Sequence, residues 1–473
     1  MQKKEKSAPA AKPDMNKVKT VHFVGIGGCG MSAIAKILVK KGYKVTGSDI
    51  RESANTIRLR EMGARVFIGH DKTNVRGADL TVFSSAIHAG NPEVDESISS
   101  GIPIEKRADM LSWIMDQFND RICVAGTHGK TTTTSMISIV LSKCEKDPTF
   151  IIGGEANDVD GNARLGSGSY VVAEADESDA SFLTLHPTVA VITNVEADHM
   201  DYFGSLNKII DAFSDFAHLV PEDGLIVMGG SGEGINAVKR TITDRKLVTY
   251  GLSDEFDFWG DNFKFSERRV KFDAHNKDKI LGRVTLCVPG KQNIENALAV
   301  IAVALHLGCD FSGISSGLQF FTGAKRRFQL IGEIRDIMIV DDYGHHPTEV
   351  SMTLEAAKFG YPDRRIICIF QPHRFTRTAH LYDEFGTAFG NADITIISDI
   401  YSAGEAPING ISGETIFNEV NKTGKQAVYI KKKEQIANYI MEIARPNDLI
   451  ITMGAGDINN VGKEILSRLK ENA

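Results

Sequence analysis

The segment Ala125-Gly126-Thr127-His128-Gly129-Lys130-Thr131-Thr132 places a lysine and a row of hydroxyls behind a glycine loop. It follows the apolar run Ile122-Cys123-Val124 and opens a stretch carrying Met136, Ile137, Val140 and Leu141. Strand, glycine loop and helix in that order cradle a triphosphate. Loop N–H groups and the helix N-terminus face the phosphates, the lysine reaches the β/γ oxygens, and a threonine hydroxyl can hold Mg²⁺. Gly126, Thr127, His128, Gly129, Lys130, Thr131 and Thr132 are therefore candidate ATP contacts. The common pattern has glycine where Val124 stands, and Gly126 supplies the turn two residues later.

A second glycine loop, Gly25-Ile26-Gly27-Gly28-Cys29-Gly30, stands between an apolar strand pattern and a helical one, and Asp49 closes the next strand. This pattern suits the diphosphate of a nucleotide, with NAD and a UDP group both open as occupants. Glu174-Ala175-Asp176-Glu177-Ser178-Asp179 gathers carboxylates that repel one another unless a cation sits among them. Asn194-Val195-Glu196-Ala197-Asp198-His199 ends another apolar run, and His199 there suits a metal or a proton. Asp341-Asp342-Tyr343-Gly344-His345-His346 follows a wholly apolar strand. Arg374 and Arg377 come after Gln371-Pro372-His373, where arginines suit bidentate carboxylate recognition. Lys325-Arg326-Arg327 places cations at a presumed domain junction, facing the triphosphate.

These groups need strand ends to hold them. Strand-like runs at 21–24, 44–47, 80–83, 122–124, 170–173, 189–192, 337–340, 366–370, 394–397 and 449–453 lead into glycine loops or polar residues. That is where open α/β sheets place ligands. With 473 residues the chain is too long for one typical core. The expected fold is α/β with three domains, each built on a mainly parallel sheet. The first and third are Rossmann-like and the central one is of P-loop type. The expected boundaries are 18–107, 108–323 and 324–473, after a disordered tail over 1–17. The alternating stretch from Asp254 to Val288 reads as antiparallel strands added to the central sheet.

A net charge of −7 argues against a general nucleic-acid partner. No apolar run reaches the length of about 18 residues that spans a bilayer. Six scattered cysteines without a CxxC pair suit a reduced, cytoplasmic protein.

Taken together, the glycine loops, Ala173-Glu174-Ala175-Asp176-Glu177-Ser178-Asp179, Asn194 through Asp201, Asp341 through Glu349 and Gln371-Pro372-His373-Arg374 resemble the Mur ligases over nearly the whole chain. Among them they resemble the members that add L-alanine to UDP-N-acetylmuramate. The resemblance implies an ATP-dependent amide-forming ligase with an acyl phosphate intermediate. It favours a UDP-sugar over NAD at the first loop, with contacts at Gly25, Gly27, Gly28, Gly30, Asp49, Ser84 and Ser85. It implies Mg²⁺ (or Mn²⁺) on Thr131, Glu174 and His199, and adenine contacts at Asn293 and Asn296. Asp342 would meet the nucleotide ribose and Arg326 the ATP. Tyr343, His345, Arg374 and Arg377 would handle L-alanine, and Lys130, His199, His345, Arg374 and Arg377 would carry the catalysis. The expected partners are UDP-N-acetylmuramate, L-alanine and ATP, without nucleic acid or membrane, in a monomer or weak homodimer. A family member that attaches a whole tripeptide is the nearest alternative, and Gly344-His345-His346 with the Gln-Pro-His-Arg segment favours the alanine-adding reading. An NAD-dependent oxidoreductase leaves the Lys130 loop idle. A non-catalytic nucleotide-binding regulator leaves the clusters at 341–346 and 373–377 unexplained. Gln292 stands where the family usually has histidine.

Overall fold

A computed structural model describes residues 13–84, 86–154 and 161–471. Among these residues the strands form sheets of five, ten and six members. The first is wholly parallel, in the order Arg65–Ile68, Lys44–Asp49, Thr20–Val24, Leu80–Phe83, Ile104–Lys106. The ten-stranded sheet has Asp120–Ala125 between Val189–Ile192 and Tyr170–Glu174, all parallel. Successive residues of a strand point to opposite faces. Accordingly Ile122 and Val124 join one buried cluster, with Met136 and Ile294, while Cys123 and Ala125 join the other, with Phe213 and Phe216. A strand apolar on both faces needs cover on both, which explains its unbroken apolar sequence.

The expected antiparallel extension is present as Phe258–Ser266, Arg269–Asn276 and Lys279–Leu286. It joins the sheet through a short parallel pairing with Leu247–Gly251. The third sheet is parallel except at its edge, where Gln329–Ile334 runs antiparallel to Ile337–Asp342. The chain is thus α/β with three mainly parallel sheets. The first 12 residues lie outside the described ones. The end of the expected tail is ordered: Asp14 to Lys17 form a turn, and Met15 packs on the first core. Among the described residues no helix is long and apolar enough to cross a membrane.

Polar pairs fasten the sheets to one another. Lys36 donates to Asn162 Oδ1 at 2.7 Å, while Asn162 Nδ2 donates to the Cys29 carbonyl at 2.6 Å. Arg107 meets Asp176 at 3.1 Å.

Within the first sheet, Pro92 and the Asn91 cap start a helix, Pro92–Ser99, whose Glu93 turns inward. Glu93 is fully buried. Burial alone would raise its pKa, but hydrogen bonds from His22, Ser48 and Asn74 bring it down to about 2. A carboxyl depressed this way contributes stability above its unfolded pKa and loses it as pH falls towards the folded value. The shift from 4.5 corresponds to about 3 kcal/mol. Glu93→Gln is expected to lower urea stability by about that much at pH 7. At pH 3 the gap to the parent protein should be less than half as large.

Candidate functional site

The strand Asp120–Ala125 feeds the helix Lys130–Lys143 through the glycine loop. Gly126 has φ +136° and Gly129 φ +84°, and a Cβ on Gly129 would lie 2.9 Å from Asn296 Oδ1. Both positions therefore require glycine. Asn194 accepts from His128 N at 2.8 Å, and Thr127 Oγ1 accepts from Glu196 N at 2.9 Å. The neighbouring strand end thereby fixes the loop. Lys130 Nζ donates to Gly126 O at 2.6 Å and to Glu177 at 2.9 Å. Thr132 lines a smaller neighbouring cavity.

The carboxylates do not repel one another unchecked, because each has found a partner. Thr131 Oγ1 lies 2.9 and 3.1 Å from the two oxygens of Glu174, and Gly153 N donates to Glu174 at 2.7 Å. Burial pushes the Glu177 carboxyl up to about 7 despite Lys130. Its Oε2 is buried and, among the described residues, has no hydrogen-bond partner. His199, in the left-handed region at φ +51°, sits 3.9 Å from Glu177 and 3.7 Å from Asp198. The Thr131 hydroxyl, the Glu174 carboxylate and the orphaned Glu177 oxygen are hard donors and His199 adds an imidazole, a set that fits Mg²⁺ or Mn²⁺.

From the third sheet come the residues at 341–349 and 373–377. Asp342 is buried and spends its oxygens on Gly344 N (2.7 Å) and Phe328 N (2.8 Å). Burial pushes it up to about 6. His345 Nδ1 lies 3.0 Å from the Tyr343 carbonyl and 3.3 Å from Glu349. Burial pushes its pKa down to about 3, which keeps the ring neutral.

The two candidate arginines differ. Arg377 is only 8% exposed and grips Asp198 through Nε and NH2 at 3.0–3.2 Å, while NH1 turns to His373. Arg374 is more exposed, and among the described residues its guanidinium makes longer contacts, 3.7 Å to Asp201 and 4.0 Å to Glu405. Arg326 is also engaged, with Asp341 and the carbonyls of Gly454 and Gly456.

A cavity of about 1080 Å³ joins the three sheets. Gly28, Gly30 and Ser84 line it from the first. Lys130, Thr131, Glu174 and His199 line it from the second. Arg326, Tyr343, His345, Arg374 and Arg377 line it from the third. The neighbouring cavity, about 290 Å³, is lined by His128, Gly129, Asn293, Asn296 and Asp342. Arg327 and Glu349 border both. Asn296 already holds Thr133 and Asn293. Gly25, Gly27 and Asp49 do not line the large cavity, and Asp49 instead accepts from Gly27 N at 2.9 Å. Ser85 lies outside the described residues.

Residue typing overlooked Glu349 and Thr348. Glu349 accepts from His345 N at 2.9 Å and meets His128 at 3.3 Å, and Thr348 donates to Glu196 at 2.7 Å. Its signal was the spacing: a carboxylate three residues after the cap His346 closes a capping box.

Three family models match in order along the chain. They are the Mur ligase family catalytic domain over residues 20–119, the Mur ligase middle domain over 124–304, and the Mur ligase glutamate ligase domain over 326–456. The chain is 47% identical over 459 residues to the UDP-N-acetylmuramate–L-alanine ligase of Geotalea uraniireducens, covering 96% of this chain and 99% of that one. It is 47% identical over 463 residues to the enzyme of that name from Pelotomaculum thermopropionicum, covering 97% and 99%. The structure superposes on the UDP-N-acetylmuramate-alanine ligase of Thermotoga maritima with a TM-score of 0.82 at 30% identity, covering 96% and 100%.

Proposed function

The chain belongs to the Mur ligase family, and from that premise we propose that it joins L-alanine to the lactyl carboxylate of UDP-N-acetylmuramate, driven by cleavage of ATP to ADP and phosphate. The observation that carries this reading is the single cavity bordered by two glycine loops, the acidic strand end and the arginine cluster. Such a cavity brings a nucleotide-sugar, a triphosphate and an amino acid within reach of one another.

A lactyl carboxylate oxygen attacks the γ-phosphorus and ADP leaves, giving an acyl phosphate. The alanine nitrogen then attacks the carbonyl carbon, phosphate leaves, and the nitrogen loses a proton. In the first step an anion approaches a polyanion. A single like-charge pair at 4 Å costs about 4 kcal/mol at an effective dielectric of 20. Lys130 offsets part of that repulsion at the loop. A bound Mg²⁺ or Mn²⁺, held by Thr131, Glu174 and His199, would supply the remaining phosphate neutralisation. In the second step His345 is neutral, but so weak a base takes little of the amine proton at neutral pH. It orients the alanine instead. An acyl phosphate hydrolyses in water, so enclosure between the three sheets protects it. The three sheets correspond to domains for UDP-sugar, ATP and amino acid. Asn293 and the 290 Å³ cavity take the adenosine.

Arg374 is the carboxylate anchor for L-alanine, because its guanidinium is the less committed of the pair. Arg374→Ala is expected to raise the KM for L-alanine at least tenfold and leave the KM for ATP unchanged. Arg374→Lys should rescue only partly, since a point charge lacks the planar fork. An unchanged KM for L-alanine would remove Arg374 from the amino-acid site.

The reaction itself is tested by incubating the protein with ATP, Mg²⁺ and UDP-N-acetylmuramate, with L-alanine, D-glutamate or a tripeptide in separate tubes. Phosphate release only with L-alanine, and a product heavier by one alanyl residue, is the expected result. Release with the tripeptide would move the assignment to the family member that attaches a whole tripeptide.

A further inference from the structure

One cluster at the seam between the central and third sheets shares no residue with the Thr131, Glu174 and His199 set. His128 stands in the glycine loop, Glu196 beyond the strand Val189–Ile192, and His346 at the cap of the helix Pro347–Gly360. One ligand atom from each lies within 4.8 Å of the others. His128 and His346 are 8% and 2% exposed, and among the described residues the buried Nε2 atom of neither has a hydrogen-bond partner. We propose that these three residues form a second metal site, of the Zn²⁺ class, that fastens the third sheet to the phosphate loop.

The donor set decides the class of ion. Two imidazoles and one carboxylate suit Zn²⁺ and its transition-metal neighbours, whereas Mg²⁺ takes mainly oxygen donors and phosphate, as beside Thr131 and Glu174. His128 stands between two carboxylates, which hold a proton on its ring until a metal displaces it. Its Nδ1 faces Glu349 Oε1 at 3.3 Å, and its Nε2 faces Glu196 Oε2 at 3.4 Å. An outer carboxylate on one ring nitrogen orients the other towards a metal. Glu349 is itself held by His345 N and Arg327. His346 Nδ1 is 3.8 Å from the same Glu196 oxygen and carries only a long 3.4 Å contact from Thr348 N. A small contraction of the cluster brings the three donors to Zn²⁺ distances, about 2.0–2.2 Å from the ion. Glu196, Thr348 and His346 also border a cavity of about 380 Å³ beside the seam, which gives an ion a way in. Two ligands come from the central sheet and one from the third, so a bound ion resists their separation.

Co²⁺ is the probe, because its visible d–d absorption reports the donors directly. The metal-stripped full chain is titrated with Co²⁺ in excess Mg²⁺, then with Zn²⁺ as competitor. One equivalent with N/O-type absorption, displaced by Zn²⁺, is expected. Small-angle scattering should show Zn²⁺ compacting the protein. His346→Asn keeps a capping acceptor for the helix. It should weaken Co²⁺ binding at least 100-fold and abolish the compaction. Glu196→Gln should weaken binding likewise. Glu174→Gln should bind like the parent protein. Four outcomes would overturn the proposal: no saturable equivalent in the parent protein, equal binding by His346→Asn, loss of binding in Glu174→Gln, or a sulfur charge-transfer band that places the ion on a cysteine.

Discussion

Lys130→Met should lower kcat by at least about 10³-fold while leaving UDP-N-acetylmuramate binding intact. The lysine sits in the phosphate loop on Gly126 O and Glu177, within reach of an arriving triphosphate. Removing a preorganised charge from a site where charge moves in the transition state costs about 10²–10³-fold for a single neutral donor. A full cation facing a polyanion lies at or above the top of that range. The loss should not come from unfolding. Breaking a buried ion pair usually strands a charge, but burial already pushes Glu177 up to about 7 with the lysine present. Without the lysine Glu177 takes up a proton and stays neutral at pH 7. The variant should therefore melt near the parent temperature and fail in phosphate release. Lys130→Arg should fail too, because the Gly126 and Thr127 carbonyls and Glu177 close around a compact ammonium. A kcat within tenfold of the parent value would remove Lys130 from phosphoryl transfer.

Much of this site was legible because open α/β sheets gather their chemistry at strand ends. The loop at 126–132, the acids at 174–179, the 194–199 turn and the 341–346 segment each follow an apolar run, and the fold brings them to one cavity. Periodicity was silent on the shortest strands. Thr149–Ile151 and Ile104–Lys106 have three residues each, too few to show an alternation. It was silent on Glu349 for a different reason. An acid near the start of a helix looks like ordinary dipole compensation until the helix cap, His128 and Arg327 are seen around it. The Arg326 and Arg327 pair shows the limit of residue typing. Adjacent arginines look alike in sequence, yet one ties down the Gly454 and Gly456 carbonyls while the other borders both cavities. Long-range pairing made that distinction, and no local pattern encodes it.

The same limit applies to Arg377, and it yields the other large effect. Residue type and position suggest a hand on the L-alanine carboxylate, but the structure shows a guanidinium whose nitrogens are taken by Asp198 and His373. Asp198 belongs to the central sheet's strand end and Arg377 to the helix Phe375–Ala388 of the third sheet. Burial would raise the Asp198 pKa, but Arg377 overrides it and holds the carboxyl far below the usual carboxylate range. The pair is therefore ionised across the working pH range and spans the two sheets. Breaking a buried pair by removing one partner costs about 3–5 kcal/mol. Because the pair joins the third sheet to the central one, that cost falls on the seam between them. Asp198→Asn is thus expected to lower kcat/KM for L-alanine by about 10²–10³-fold, with little change in the melting of the individual sheets. Arg377→Met should match it. The double variant separates the two readings of Arg377. If the arginine is an interdomain clamp, Asp198→Asn with Arg377→Met leaves no stranded charge and recovers at least tenfold over either single change. If it grips the alanine carboxylate, the double variant stays as slow as Arg377→Met alone, and Arg377 returns to the amino-acid site beside Arg374.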